Sequence, residues 1–153
     1  MKKETKVVVG GTFDVLHEGH AALLKKGFSL GEITVGLTSN KMAEKSKKRK
    51  VRDFRSRKRD LENFLKKSSV KKYKIVKIED KFGPTLKEDF DFIVVSPETY
   101  PNALLINEKR RRTGRKQMKI IKIKFVCGKN GKPISSTDII KGRLDKKRKL
   151  GEK

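Results

Sequence analysis

The stretch Gly10-Gly11-Thr12-Phe13-Asp14-Val15-Leu16-His17-Glu18-Gly19-His20 decides how this chain is read, because it joins a strand pattern to a helix pattern. Before it, Lys6-Val7-Val8-Val9 reads as a short buried parallel strand; after it, Ala21-Ala22-Leu23-Leu24 supplies the apolar part of a helix. Strand, tight turn and helix start together place a ligand at the strand's carboxyl end, over the helix N-terminus. Gly10 and Gly11 carry no Cβ, so the backbone can turn sharply and bring its N–H groups close to an anionic oxygen. Thr12 adds a hydroxyl donor beside them. His17 and His20 are three apart, a spacing expected to put both rings on one helical face, where each can donate to a polyphosphate. Gly19 between them leaves room for a flat ring against the backbone, and Asp14 and Glu18 suit the positive end of the helix dipole.

The same residues fit other sites less well. Zinc ligation by a histidine pair on a helix follows the HExxH spacing of four, and the chain's single cysteine, Cys127, is distant, so no metal is assigned. A dinucleotide fingerprint fails because no third glycine stands where GxGxxG requires it. A structural turn holding two incidental histidines is the remaining alternative.

Along the chain, strands are expected near 5–10, 32–38, 72–79, 91–96 and 118–126, alternating with helices near 17–29, 53–67, 98–112 and 135–145. In the second of these helices Leu61, Phe64 and Leu65 share one face, while Arg55, Lys58 and Glu62 fall elsewhere. Such alternation predicts an α/β fold, a single-domain Rossmann-like parallel sheet with helices on both faces. The 153 residues can bury a sizeable core and contain no internal repeat or linker, so we expect one domain over 1–145 and a basic, solvated tail over 146–153. Near the end, Ser135, Ser136 and Thr137 stand at the start of the last expected helix, where three hydroxyls and unpaired backbone N–H groups can cap the helix, hold phosphates, or do both.

These residues carry a family resemblance. The first stretch resembles the GGTFDxLHxGH signature of the nucleotidyltransferase superfamily, whose members join a nucleoside monophosphate to a phosphorylated or anionic acceptor and release pyrophosphate. Ile134-Ser135-Ser136-Thr137, after Pro133, resembles the superfamily's ISSTxIR signature, with Ile140 where its arginine would stand; the basic role then falls to Lys141 or Arg143. Gly36-Leu37-Thr38-Ser39-Asn40-Lys41-Met42-Ala43 and Phe92-Ile93-Val94-Val95-Ser96-Pro97-Glu98-Thr99-Tyr100, with Asn107, narrow this to the archaeal phosphopantetheine adenylyltransferases, similar over nearly all of Val7 to Arg143.

The resemblance implies transfer of AMP from ATP to 4'-phosphopantetheine, giving dephospho-coenzyme A and pyrophosphate in coenzyme A biosynthesis. It implies that His17, His20 and Lys41 are the catalytic residues, the histidines stabilising the ATP phosphates, and that Thr12 and Lys41 hold the phosphate of phosphopantetheine. Gly11, Phe13, Gly19, Ser96, Glu98, Thr99 and Asn107 would line the nucleotide side, while Ser135, Ser136 and Thr137, with Arg143, would meet the β- and γ-phosphates. Mg2+ would enter with ATP, since the sequence offers no dedicated magnesium cage. A sibling enzyme acting on FMN or an alcohol phosphate would use the same phosphate machinery.

Charge stands apart from this reading. The net +24 gathers in Lys45-Ser46-Lys47-Lys48-Arg49-Lys50, in Lys109 to Lys116 and in Lys146 to Lys149. With 42 basic residues against 18 acidic ones, ion pairing cannot absorb it. We read it as a field that steers ATP and phosphopantetheine inward, with nucleic-acid binding incidental. A dedicated nucleic-acid-binding module is the alternative, weakened by the absence of Trp and by only two Tyr for base stacking. One cysteine precludes an internal disulfide, and no apolar run reaches the roughly 20 residues of a membrane span, so a cytoplasmic protein with no membrane partner is expected.

Overall fold

The side chains of Val7, Val8 and Val9 point alternately to opposite faces of the sheet, and each face meets its own helices. A computed structural model describes residues 5–47 and 50–124, with the backbone alone at 46 and 47. Its strands are β1 (Lys6–Gly11), β2 (Glu32–Thr38), β3 (Tyr73–Ile78), β4 (Phe92–Val95) and β5 (Lys119–Lys122). All pairings are parallel and the order is β3-β2-β1-β4-β5. The helices are α1 (Glu18–Leu30), α2 (Asn40–Lys47), α3 (Phe54–Lys67) and α4 (Tyr100–Arg112), with a 3-10 turn at Gly83–Leu86.

Val7 and Val9 pack in one cluster with Leu24 of α1 and Leu61 and Leu65 of α3. Val8 turns to the other face, where Ile93 and Val95 meet Ala103 and Ile106 of α4. The expected parallel α/β sheet with helices on both faces is therefore present. Central strands buried on both sides must be apolar at every position, which is why β1 reads as an unbroken valine run.

Two elements depart from the sequence reading. α2 was not expected, because Met42 and Ala43 are its main apolar residues in a lysine-rich segment. Its start is set by Ser39, whose Oγ accepts the Met42 N–H at 3.2 Å as an N-cap does. The helix expected from residue 98 begins at Tyr100, because Thr99 and Tyr100 both donate their N–H groups to Ser96 O and close a turn first. The helix expected over 135–145, the end of the 118–126 strand and the 146–153 tail lie outside the described residues.

Gly31 joins α1 to β2 at a point of close backbone approach. A Cβ there would stand 2.3 Å from Thr5 O, the atom that accepts the Glu32 N–H at 2.8 Å. Because a backbone carbonyl cannot swing away as a side-chain tip can, Gly31→Ala should destabilise the fold by about 2 kcal/mol, read by urea unfolding.

Candidate active site

From β1 the chain builds β2 and β3 on one side, then crosses to β4 and β5 on the other. The connections leaving β1 and β4 therefore diverge, and a cleft opens at the carboxyl ends of these neighbours. Its volume is about 610 Å³. Gly10 to Phe13 and His20 form one wall, Ser96, Glu98 and Thr99 another, and Phe82 and Pro84 a largely apolar third.

The histidine pair converges by a route other than the one expected. His17 is not in the helix: its backbone is extended, with φ −143° and ψ −179°, and it caps α1. Its Nδ1 accepts the N–H groups of Gly19 at 3.0 Å and His20 at 3.4 Å. That nitrogen carries no proton, so the hydrogen of the neutral ring sits on Nε2. The ring folds back to stack on His20 with centroids 3.8 Å apart and planes 20° from parallel. Gly19 leaves the space this needs, since a Cβ there would stand 2.9 Å from His17 Cε1. His17 is buried behind His20, and His20 is the ring that lines the cleft.

Phe13 adopts the left-handed backbone, φ +48°, which non-glycine residues rarely take. The turn tucks its ring beneath Gly11, where a Cβ would come within 2.9 Å of Phe13 Cε2, and against His20 at 5.0 Å between centroids. Across the cleft, Thr99 Oγ1 accepts the Ser96 N–H at 3.1 Å and lies 3.3 Å from Ser96 Oγ, so the turn after β4 gathers hydroxyls at the mouth.

Gly11, Thr12, Phe13, His20, Ser96, Glu98 and Thr99 thus share one cleft. Lys41 stands exposed on the first turn of α2, beside Met42, which does line the cleft. Asn107, expected on the nucleotide side, instead uses both ends of its amide on Met118: Nδ2 donates to Met118 O and Oδ1 accepts Met118 N–H, each at 2.8 Å. It clips α4 to the segment that leads into β5. Ser135, Ser136, Thr137 and Arg143 lie outside the described residues.

Three residues were misread or missed in the sequence. Asp14, read as a helix-dipole residue, lies four positions before α1 and is buried, accepting Arg52 N–H at 3.1 Å and Arg52 Nε at 3.4 Å. Arg110 falls in a basic run read as part of a steering surface field, yet it is buried and holds the backbone around the 3-10 turn. Arg57 of α3 is fully buried among the loops at the carboxyl end of the sheet. Burial pulls its guanidinium below the ordinary arginine value, and the charge of Asp14 opposes that shift. Its signal was legible, since it stands four residues before Leu61 and eight before Leu65, on the apolar stripe itself.

A family model described as cytidylyltransferase-like matches residues 8–142. The chain belongs to this family. Curated relatives include the phosphopantetheine adenylyltransferase of Methanosarcina mazei, 44% identical over 150 residues, covering 95% of this chain and 96% of that protein. The phosphopantetheine adenylyltransferase of Pyrococcus horikoshii is 45% identical over 148 residues, covering 95% and 94%. A solved Archaeoglobus fulgidus protein of unknown function superposes with TM-score 0.74 at 41% identity, covering 78% of this chain and 89% of that one. A Francisella tularensis pantoate-beta-alanine ligase, complexed with beta-gamma ATP and beta-alanine, shares the fold at TM-score 0.61 and 18% identity, covering 99% and 76%. Within the cytidylyltransferase-like family, this chain therefore groups with the archaeal adenylyltransferases that its motifs resemble.

Proposed function

We propose that this protein transfers AMP from ATP to 4'-phosphopantetheine, giving dephospho-coenzyme A and pyrophosphate. Its near-full-length identity to the archaeal enzymes of that name carries the reading. The cleft at the β1/β4 divergence, with glycine, threonine and histidine donors on one wall, supports it.

In this reaction a phosphate oxygen of phosphopantetheine bonds to the α-phosphorus of ATP, and the bond from that phosphorus to the bridging β-oxygen breaks. Pyrophosphate leaves with the bonding electrons. The attacking oxygen is already anionic, so positioning and charge stabilisation suffice and no general base is needed. In our reading Thr12 and Lys41 hold the acceptor phosphate, and His20, braced by His17, meets the charge that develops on the ATP phosphates. Gly11, Phe13, Gly19, Ser96, Glu98 and Thr99 shape the nucleotide side, and Ser135, Ser136, Thr137 and Arg143 close on the outer phosphates. Mg2+ would enter with ATP and, when bound, would offset the charge of its phosphates. Among the described residues no three His, Cys, Asp or Glu side chains gather as a metal cage, so its shell would come chiefly from phosphate and water oxygens. None of the described helices is long and apolar enough to cross a membrane, and we place the protein in the cytoplasm, where a lone cysteine stays reduced.

An acceptor screen tests the reading: pyrophosphate release from ATP with phosphopantetheine is expected, and turnover of FMN or an alcohol phosphate in its place would overturn it. The basic field has a separate consequence. If it steers anionic substrates, kcat/KM should fall several-fold as salt rises from about 0.05 to 0.5 M while kcat changes little, measured by pyrophosphate release. Sequence-selective nucleic-acid binding at physiological salt, with no pyrophosphate release, would favour the binding-module alternative.

A further inference from the structure

Arg57 sends its donors to four residues in three stretches of chain near the carboxyl end of the sheet. Nε donates to Arg52 O at 2.7 Å, before α3, and Nη2 to Asn40 Oδ1 at 3.1 Å, at the start of α2. Nη1 has two hydrogens for three acceptors: Thr12 O at 3.1 Å, after β1, and Thr38 O at 2.9 Å and Thr38 Oγ1 at 3.2 Å, which share a hydrogen at the end of β2. A guanidinium carries no acceptor, so Thr38 Oγ1 can only accept from it. Thr38 Oγ1 accepts from Arg57 and donates its own hydrogen to Thr12 Oγ1, 3.2 Å away. Thr12 Oγ1 is thereby an acceptor on its inner side, and its single hydrogen is left for the cleft that Thr12 lines. The same guanidinium holds the Thr12 carbonyl, so the turn keeps an oxygen that would repel an anion engaged with a cation.

We propose that Arg57 is a positioning residue which, through the Thr38 hydroxyl, sets the Thr12 hydroxyl as a donor toward the phosphate of the acceptor. This rests on the reading above that Thr12 meets that phosphate. Arg57 touches no substrate; it orders a chain of hydroxyls whose last hydrogen does.

The threonines carry the test, because they are less hazardous to folding than a buried arginine. Dissociation constants for phosphopantetheine and for ATP would be measured by calorimetry for Thr12→Val, Thr38→Val, the double variant and Thr38→Ser. Thr38→Val should weaken phosphopantetheine about 5-fold and Thr12→Val about 10-fold, with ATP changed less than 2-fold. If Thr38 acts through Thr12, the double variant should bind no worse than Thr12→Val alone, and Thr38→Ser should restore binding to within about 2-fold. Additive losses in the double variant, equal losses for ATP, or no loss with Thr38→Val would each overturn the proposal. Arg57→Lys, which keeps the charge but not the fork, should resemble Thr38→Val in its selective effect on the acceptor. Turnover of phosphopantetheine by the unaltered protein tests the reaction separately. The same cycle read with inorganic phosphate keeps the relay testable if the acceptor proves to be another phosphate ester.

Discussion

His20→Ala should lower turnover by roughly 10²- to 10³-fold, the range typical of removing one donor from a site where transition-state charge develops. The fall should appear in kcat more than in KM, because charge on the departing pyrophosphate grows between the ground state and the transition state. Folding should change little: His20 sits on the cleft wall, and its stacking on His17 leaves the capping hydrogen bonds of His17 Nδ1 in place. His17→Ala gives the contrast. It deletes the acceptor that caps α1, so a loss of about 1 kcal/mol in unfolding free energy should accompany any loss of turnover. Unchanged kcat in His20→Ala, assayed by pyrophosphate release, would remove that ring from the reaction.

Arg110→Met should produce the largest loss of stability, about 3 kcal/mol by denaturant unfolding. The guanidinium is 1% exposed and donates to Lys116 O at 2.7 Å, Thr85 O at 2.6 Å and Glu88 O at 2.9 Å, and to Asp89 Oδ1 at 2.9 Å. Methionine fills much of the volume and leaves these carbonyls without their donor, at about 1 kcal/mol or more each where water cannot replace it. Because Thr85 also lines the cleft, turnover should fall with stability.

A pH signature belongs to the same change. Hydrogen bonds from Arg110, and then Arg115, hold the Asp89 carboxyl below its ordinary value of 3.8. The stabilisation from this depressed group is complete above that ordinary value and is lost as pH falls through the lower folded one. The unaltered protein should therefore lose stability more steeply below about pH 4 than Arg110→Met does, a difference that thermal melts across pH 2–5 would record.

The two arginines mark where sequence reading stopped. Arg57 shares the apolar stripe of Leu61 and Leu65, but which carbonyls hold it, and which hold Arg110, depends on what the loops bring within reach. The carbonyls that meet Arg57 and Arg110 belong to residues up to 45 and 25 positions away. The strand–turn–helix unit, by contrast, is local. Valines with no polar alternation, paired glycines and a leucine-bearing helix state their structure within twenty residues. The cleft between Thr12 and Ser96 was legible in part for the same reason, because each wall is a turn that follows a recognisable strand.

By itself, the sequence determined the parallel α/β class, the glycine turn and the nearness of His20 to that turn, because each depends on periodicity and on residues adjacent in the chain. Only the tertiary structure decided that His17 is a cap and not a helical residue, that Asn107 clips α4 to the approach to β5, and that Arg57 and Arg110 are buried ties. Those roles arise from backbone donors and acceptors whose positions exist only after the sheet has assembled, when a buried carbonyl must find a donor wherever the packing provides one.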